Sequence, residues 1–165
     1  MKRVELLDHE SRASREDHAA LRLWLRLLAC ANLIERRVRR SLRAEFATTL
    51  PRFDFMAQLQ RCPAGLKMGE ISERMMVTGG NVTGIADELV SAGLVVRAPS
   101  RGDRRAYTIK LTPAGRRAFS EMARAHERWI VQLLAGLNAR EKAGVFETLA
   151  KLKRHLAASN GDGAA

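Results

Sequence analysis

A chain of 165 residues, 46% hydrophobic and 28% charged, has the composition of a soluble globular protein and the length for one domain or a small domain with an oligomerisation element. Its formal net charge of +11 favours polyanionic partners. No apolar run is long enough to span a bilayer, the N-terminus lacks the apolar stretch of a signal peptide, and the two cysteines and four histidines have no zinc-site spacing, so the expectation is a cytoplasmic protein with no membrane partner and no cofactor.

Residues 1–16 read as a flexible polar arm. A first helix is predicted over 17–47, where Leu21, Trp24, Leu28, Ala31, Ile34, Val38 and Leu42 recur at spacings of three and four. Leu23, Leu25, Leu27 and Leu33 widen that stripe over most of the circumference in its first half, so the helix needs more than one packing surface, and a partner chain would supply the second. Arg36, Arg39, Arg40 and Arg43 share one edge of the same helix while Val38 and Leu42 face inward.

Residues 48–111 read as a separate lobe. "LPRFDFMAQLQ" predicts a short helix with Pro51 in its first turn, Phe53, Met56 and Leu59 facing inward, and a stop at Pro63–Gly65. Two short helices follow. Met68, Ile71 and Met75 form the inner face of one; Thr78 opens the other as N-cap and Gly93 closes it. Only Met76 and Val77 separate them, which predicts a helix-turn-helix. Strands are expected at 94–97 and 106–111, with Tyr107, Ile109 and Leu111 alternating with Thr108 and Lys110. The turn between them carries Arg101, Arg104 and Arg105, and residues 94–117 hold an excess of six positive charges.

Residues 112–158 read as two helices. Thr112 and Pro113 start the first, whose stripe is Phe119, Met122, His126, Trp129, Ile130, Leu133 and Leu137. Asn138 caps the second, with Glu141 three residues on, and its stripe is Val145, Leu149, Leu152 and Leu156. Residues 159–165 read as a disordered tail. The predicted fold is mainly α with a small two-stranded β wing: a winged helix-turn-helix flanked by N- and C-terminal helices that pack on each other or on a second chain.

The block "MGEISERMMVTGGNVTGIADELVSAGLVVRAPSRGDRRAYTIKLTPAGR" resembles the MarR family of bacterial winged-helix regulators. Its most specific part is Asp103-Arg104-Arg105, then a strand, then Leu111-Thr112 and Gly115. The resemblance implies a homodimer built from the terminal dimerisation helices, a DNA-binding lobe on each subunit, and a small-molecule pocket between the two. It implies a transcriptional regulator, a repressor by family default, on a pseudo-palindromic operator of double-stranded DNA. "LPRFDFMAQL" followed by "GLKMGEISERMMVTGGNVTG" is similar to members linked to hydroxycinnamate and other aromatic-acid breakdown, which implies an aromatic acid or its CoA thioester as effector.

On that reading Thr78, Gly80, Asn81 and Thr83 reach the major groove; Asn81 suits paired hydrogen bonds to adenine and Thr83 a phosphate or a thymine methyl. The competing reading makes Gly79 and Gly80 a turn and Asn81 a cap. Arg105 matches the family's Asp-x-Arg arginine and suits a narrow minor groove. Asp103 would fix its geometry, and Arg101 and Arg104 would meet the backbone; the bland alternative is a solvated hairpin. Trp24, Leu28, Phe53, Phe55, His126 and Trp129 are candidate pocket residues, each with an ordinary core reading. Arg36 and Arg40 lie on an edge that would grip the phosphates of a CoA thioester, add DNA contacts, or stay solvated. No phosphate loop, metal cluster or catalytic triad marks an enzyme. Two rival readings remain within DNA binding. A thiol-based sensor would use Cys30 or Cys62, although Tyr107, the sole tyrosine, lies in the wing. A ligand-independent architectural protein would not need long dimer helices.

Overall fold

The computed structural model describes residues 18–75, 79–100 and 103–159. The expected arm at 1–16, the N-cap at Thr78 and the tail from residue 160 lie outside them. Helix α1 spans Ala19–Phe46, α2 Leu50–Arg61, α3 Met68–Met75 and α4 Gly79–Ser91; strands β1 (Val95–Ser100) and β2 (Asp103–Leu111) follow, then α5 (Pro113–Leu133) and α6 (Ala139–Ser159). The chain forms two units, one running to Glu127 and one from Arg128 onward.

Helix α1 ends where Ala47 takes a left-handed conformation (φ 48°) and its N–H returns to the Arg43 carbonyl at 3.2 Å. Thr49 then caps α2, its hydroxyl accepting from the Arg52 N–H at 3.4 Å, with Pro51 in the first turn, where a missing N–H costs nothing. Phe53, Phe55, Met56 and Leu59 of α2 are buried, as are Val38 and Leu42 of α1. Ile71 of α3, Val82, Ala86 and Leu89 of α4, and Val95, Ile109 and Leu111 of the strands complete one core.

Helix α4 closes as the sequence predicts. Gly93 sits at φ 69°; its N–H reaches the Val90 carbonyl at 2.9 Å and the Leu94 N–H reaches that of Leu89 at 3.0 Å, the paired bonds of a Schellman ending. The strands pair antiparallel from Val95↔Leu111 to Pro99↔Tyr107, and Leu66 adds a bridge to Ile109. They run farther than the sequence indicated. The register shifts after Pro99 so that Ser100 pairs with Asp103. Asp103, Arg104 and Arg105, expected on the turn, therefore belong to β2; positions 101 and 102 lie outside the described residues. Local alternation cannot reveal such a shift, because bulged residues break the period of two that identifies a strand.

The join to α5 is tight. Thr112 donates its N–H to the Leu94 carbonyl at 3.0 Å and its hydroxyl to the Gly93 carbonyl at 2.8 Å, while that hydroxyl accepts from the Gly115 N–H at 2.9 Å. A Cβ on Gly115 would lie 1.9 Å from the Leu94 carbonyl oxygen, so only glycine allows this approach. Helix α5 stops at Leu133, short of the predicted stripe's Leu137. Asn138 and Glu141 cap α6 reciprocally: the Asn138 side chain accepts from the Glu141 N–H at 3.0 Å and Glu141 accepts from the Asn138 N–H at 2.8 Å. Ser159 closes α6 instead of opening the tail.

The outer helices leave apolar side chains uncovered. Leu21, Leu23, Trp24, Leu28 and Leu33 are exposed on α1, and Val145, Phe146, Leu149, Leu152 and Leu156 on α6, with Phe146 reaching 71%. Among the described residues no helix is long and apolar enough to cross a membrane.

Candidate nucleic-acid interface

Helix α4 has two unlike faces. Val82, Ala86 and Leu89 are fully buried, a spacing of four and three that anchors one side to the core. Thr83 and Gly84 lie on the other side, exposed, and a Cβ built on Gly84 meets nothing within 4 Å. Gly79 and Gly80 belong to the helix, so they do not form the turn that the competing reading required. Gly80 and Asn81 thus occupy the first turn of α4, whose unpaired N–H groups favour anions.

The hairpin is fastened to this helix. Arg97 of β1 donates to the Asp87 carboxylate of α4, an ion pair that sequence reading missed because its members lie ten residues apart in different elements. That pair orients the wing against the helix. On the far side Glu88 of α4 stands 3.9 Å from Arg52 of α2. Asp103, Arg104 and Arg105 are carried by the outer end of β2. Thr78 and Arg101 lie outside the described residues.

The candidate ligand residues separate into groups. Phe53 and His126 come together: the Phe53 ring stacks on Phe119 at a centroid distance of 5.4 Å and lies 5.1 Å from the imidazole. Phe119, read only as part of a core stripe, belongs to this cluster. So does Asp54, whose carboxyl burial pushes above the ordinary carboxylate range; His126 and Arg39 oppose the rise and Glu35 adds to it. The clue to Asp54 was an acid flanked by two phenylalanines. Phe55 has no exposed surface and serves as a core side chain. Trp24 and Leu28 are exposed on α1, Arg36 and Arg40 are exposed farther along it, and Trp129 belongs to the second unit. Arg39 bonds Glu35 at 2.8 Å, one turn back. Cys30 is exposed, and the half-buried Cys62 thiol accepts from Arg74 at 3.1 Å.

Known proteins share this arrangement. The MarR family model matches residues 48–106, from the start of the lobe into the wing. The transcriptional activatory protein BadR of Rhodopseudomonas palustris is 30% identical over 106 residues, 63% of this chain and 60% of BadR. The chain spans less than two thirds of the length of the curated relatives it matches. A mutant of MarR from E. coli, solved in complex with operator DNA, has the same fold, with a TM-score of 0.71 at 24% identity over 84% of this chain and 99% of that one. A MarR family transcriptional regulator from Silicibacter pomeroyi superimposes with a TM-score of 0.73 at 32% identity, covering 87% of this chain and 99% of that structure. The matched proteins are regulators, not enzymes. With an exposed helix face beside a basic wing, and with identity of this level across nearly the whole of a solved member, the chain belongs to the MarR family of winged-helix transcriptional regulators.

Proposed function

We propose that the protein is a homodimeric, ligand-responsive regulator that binds a pseudo-palindromic operator and represses until a small aromatic acid or its CoA thioester releases it. The observation that carries the reading is the bare outer face of α4, with Thr83 and Gly84 uncovered, tied through Asp87 and Arg97 to a wing rich in arginine. Thr78, Gly80, Asn81 and Thr83 enter the major groove, where a helix of this width fits. Arg105 enters the minor groove, with Asp103 holding its geometry and Arg101 and Arg104 on the flanking phosphates.

A second copy supplies the two-fold symmetry, and the uncovered apolar faces of α1 and α6 are what it would bury. The effector sits by the Phe53–Phe119–His126 cluster, with Trp24 and Leu28 as further aromatic and apolar contacts and Arg36 and Arg40 as anion contacts. It acts by binding better to a dimer whose recognition helices are misaligned for the operator; a coupling of about 1–3 kcal/mol lowers operator affinity roughly 5- to 150-fold.

Mobility-shift titration on DNA upstream of the neighbouring genes tests this. Arg105→Ala is expected to weaken binding severely while sedimentation still reports a dimer, and affinity is expected to fall steeply with salt. Unchanged affinity in that variant, or no preferred site, overturns the reading. A promoter fusion gives the sign of regulation, and calorimetry with free acids against their thioesters names the effector class.

A further inference from the structure

The sequence did not single out the cavity where α1, α2, α3 and α4 meet. It holds about 360 Å³ and is walled by Arg39 and Arg43 at the end of α1, Arg52 at the start of α2, Met75 of α3, and Ile85 and Glu88 of α4. That volume falls within the roughly 300–1,000 Å³ of small-molecule sites. Three guanidinium groups border a space whose apolar wall is Met75 and Ile85. Arg52 Nε is buried and makes no hydrogen bond among the described residues, since the Glu88 carboxylate at 3.9 Å is beyond hydrogen-bond reach. A buried donor without an acceptor is unfavourable, and a guanidinium fork matches the paired oxygens of a carboxylate or a phosphate.

We propose that this cavity is an effector site for a small organic dianion, a dicarboxylate or a phosphate monoester, seated on Arg39, Arg43 and Arg52. The ligand takes Arg52 and displaces Glu88. Arg39 is bound to Glu35 and also lies in the field of Asp54, so Arg43 and Arg52 supply the two positive charges that match a dianion. The consequence for α4 is direct: Glu88 is its ionic tie to α2, so the occupied site holds α1 and α2 together while loosening the recognition helix. The binding step stands by itself; the coupling step rests on the operator reading above.

Calorimetry on the full chain tests the binding step with phthalate, inorganic phosphate and, as a monoanion, benzoate. At least one dianion is expected to bind about tenfold more tightly than benzoate. Arg43→Ala and Arg52→Gln should each weaken it about tenfold, the loss expected for one charge-assisted hydrogen bond, while the charge-matched Arg154→Ala retains affinity. Thermal melting checks that each variant folds, and exposed Arg43 serves should the Arg52 variant fail to. Binding of phthalate alone assigns a dicarboxylate, and of phosphate alone a phosphate monoester. No heat from either dianion, or equal affinity in Arg43→Ala, overturns the site. In mobility shifts the bound dianion should weaken operator affinity about fivefold or more in the wild type but not in Arg52→Gln. Operator binding that the bound dianion leaves unmoved overturns the coupling; a bound dianion with no operator binding at all overturns the operator reading and leaves the site standing.

Discussion

The central lobe and the outer helices treat their apolar residues in opposite ways. From Phe53 to Leu111, large side chains such as Phe55, Ile71, Leu89 and Ile109 have no exposed surface. On α1 and α6, Trp24, Phe146 and Leu156 stand more than half exposed. Both regions are amphipathic in sequence, so the difference lies in what covers them. The lobe covers itself; the outer helices await another surface, which the proposed dimer supplies.

The largest effect expected from breaking that contrast comes from truncating one phenylalanine in each region. Phe55→Ala should cost about 3–5 kcal/mol of unfolding free energy, because it removes a fully buried ring and leaves a cavity. Phe146→Ser should leave the unfolding of the lobe almost unchanged and instead lower the dimerisation constant, as measured by sedimentation. Equal losses of stability from both would erase the distinction. Gly115→Ala comes next, since its Cβ would meet the Leu94 carbonyl at 1.9 Å; a destabilisation of about 1–3 kcal/mol, read by denaturant melts, is expected. Gly84→Ala sharpens the contrast from within the lobe. An added methyl there touches nothing in the protein and should stabilise α4 by about 1 kcal/mol, yet weaken operator binding, so that stability and affinity move in opposite directions.

The smallest effect concerns Asp54. Its folded-state carboxyl titrates above its unfolded value, so the native state holds the proton more tightly. Between those two values stability falls as pH rises, and above both the penalty is complete. Asp54→Asn should therefore remove this falling component from the stability profile, with its relative gain largest at neutral pH and vanishing in acid. Parallel profiles for the two proteins would contradict the sign.

Local signals made most of the fold legible. The caps at Gly93 and Asn138, and the stripes through Val38–Leu42 and Phe53–Leu59, each depend on residues within one turn of one another, and each appears as read. The miss in the wing had a different origin: a register shift is decided between strands, and neither strand alone encodes it. The same reason hid Arg97–Asp87, the grouping of Asp54 with Phe119 and His126, and the arginine-lined cavity bordered by Arg39 and Arg43. All of these are meetings between different elements of the chain. Helical periodicity placed the four arginines on one edge; it could not say which of them faces α4.

Leu94 is where several of these elements are pinned together. Its N–H closes α4, its carbonyl receives the first residue after β2, and Gly115 of α5 rests against the same oxygen. No hinge is left between the end of the reading helix, the root of the hairpin and the first turn of α5. Any rotation of that turn is handed to helix and hairpin as one rigid head, so in the proposed binding mode the two grooves of the duplex are gained or lost in a single step.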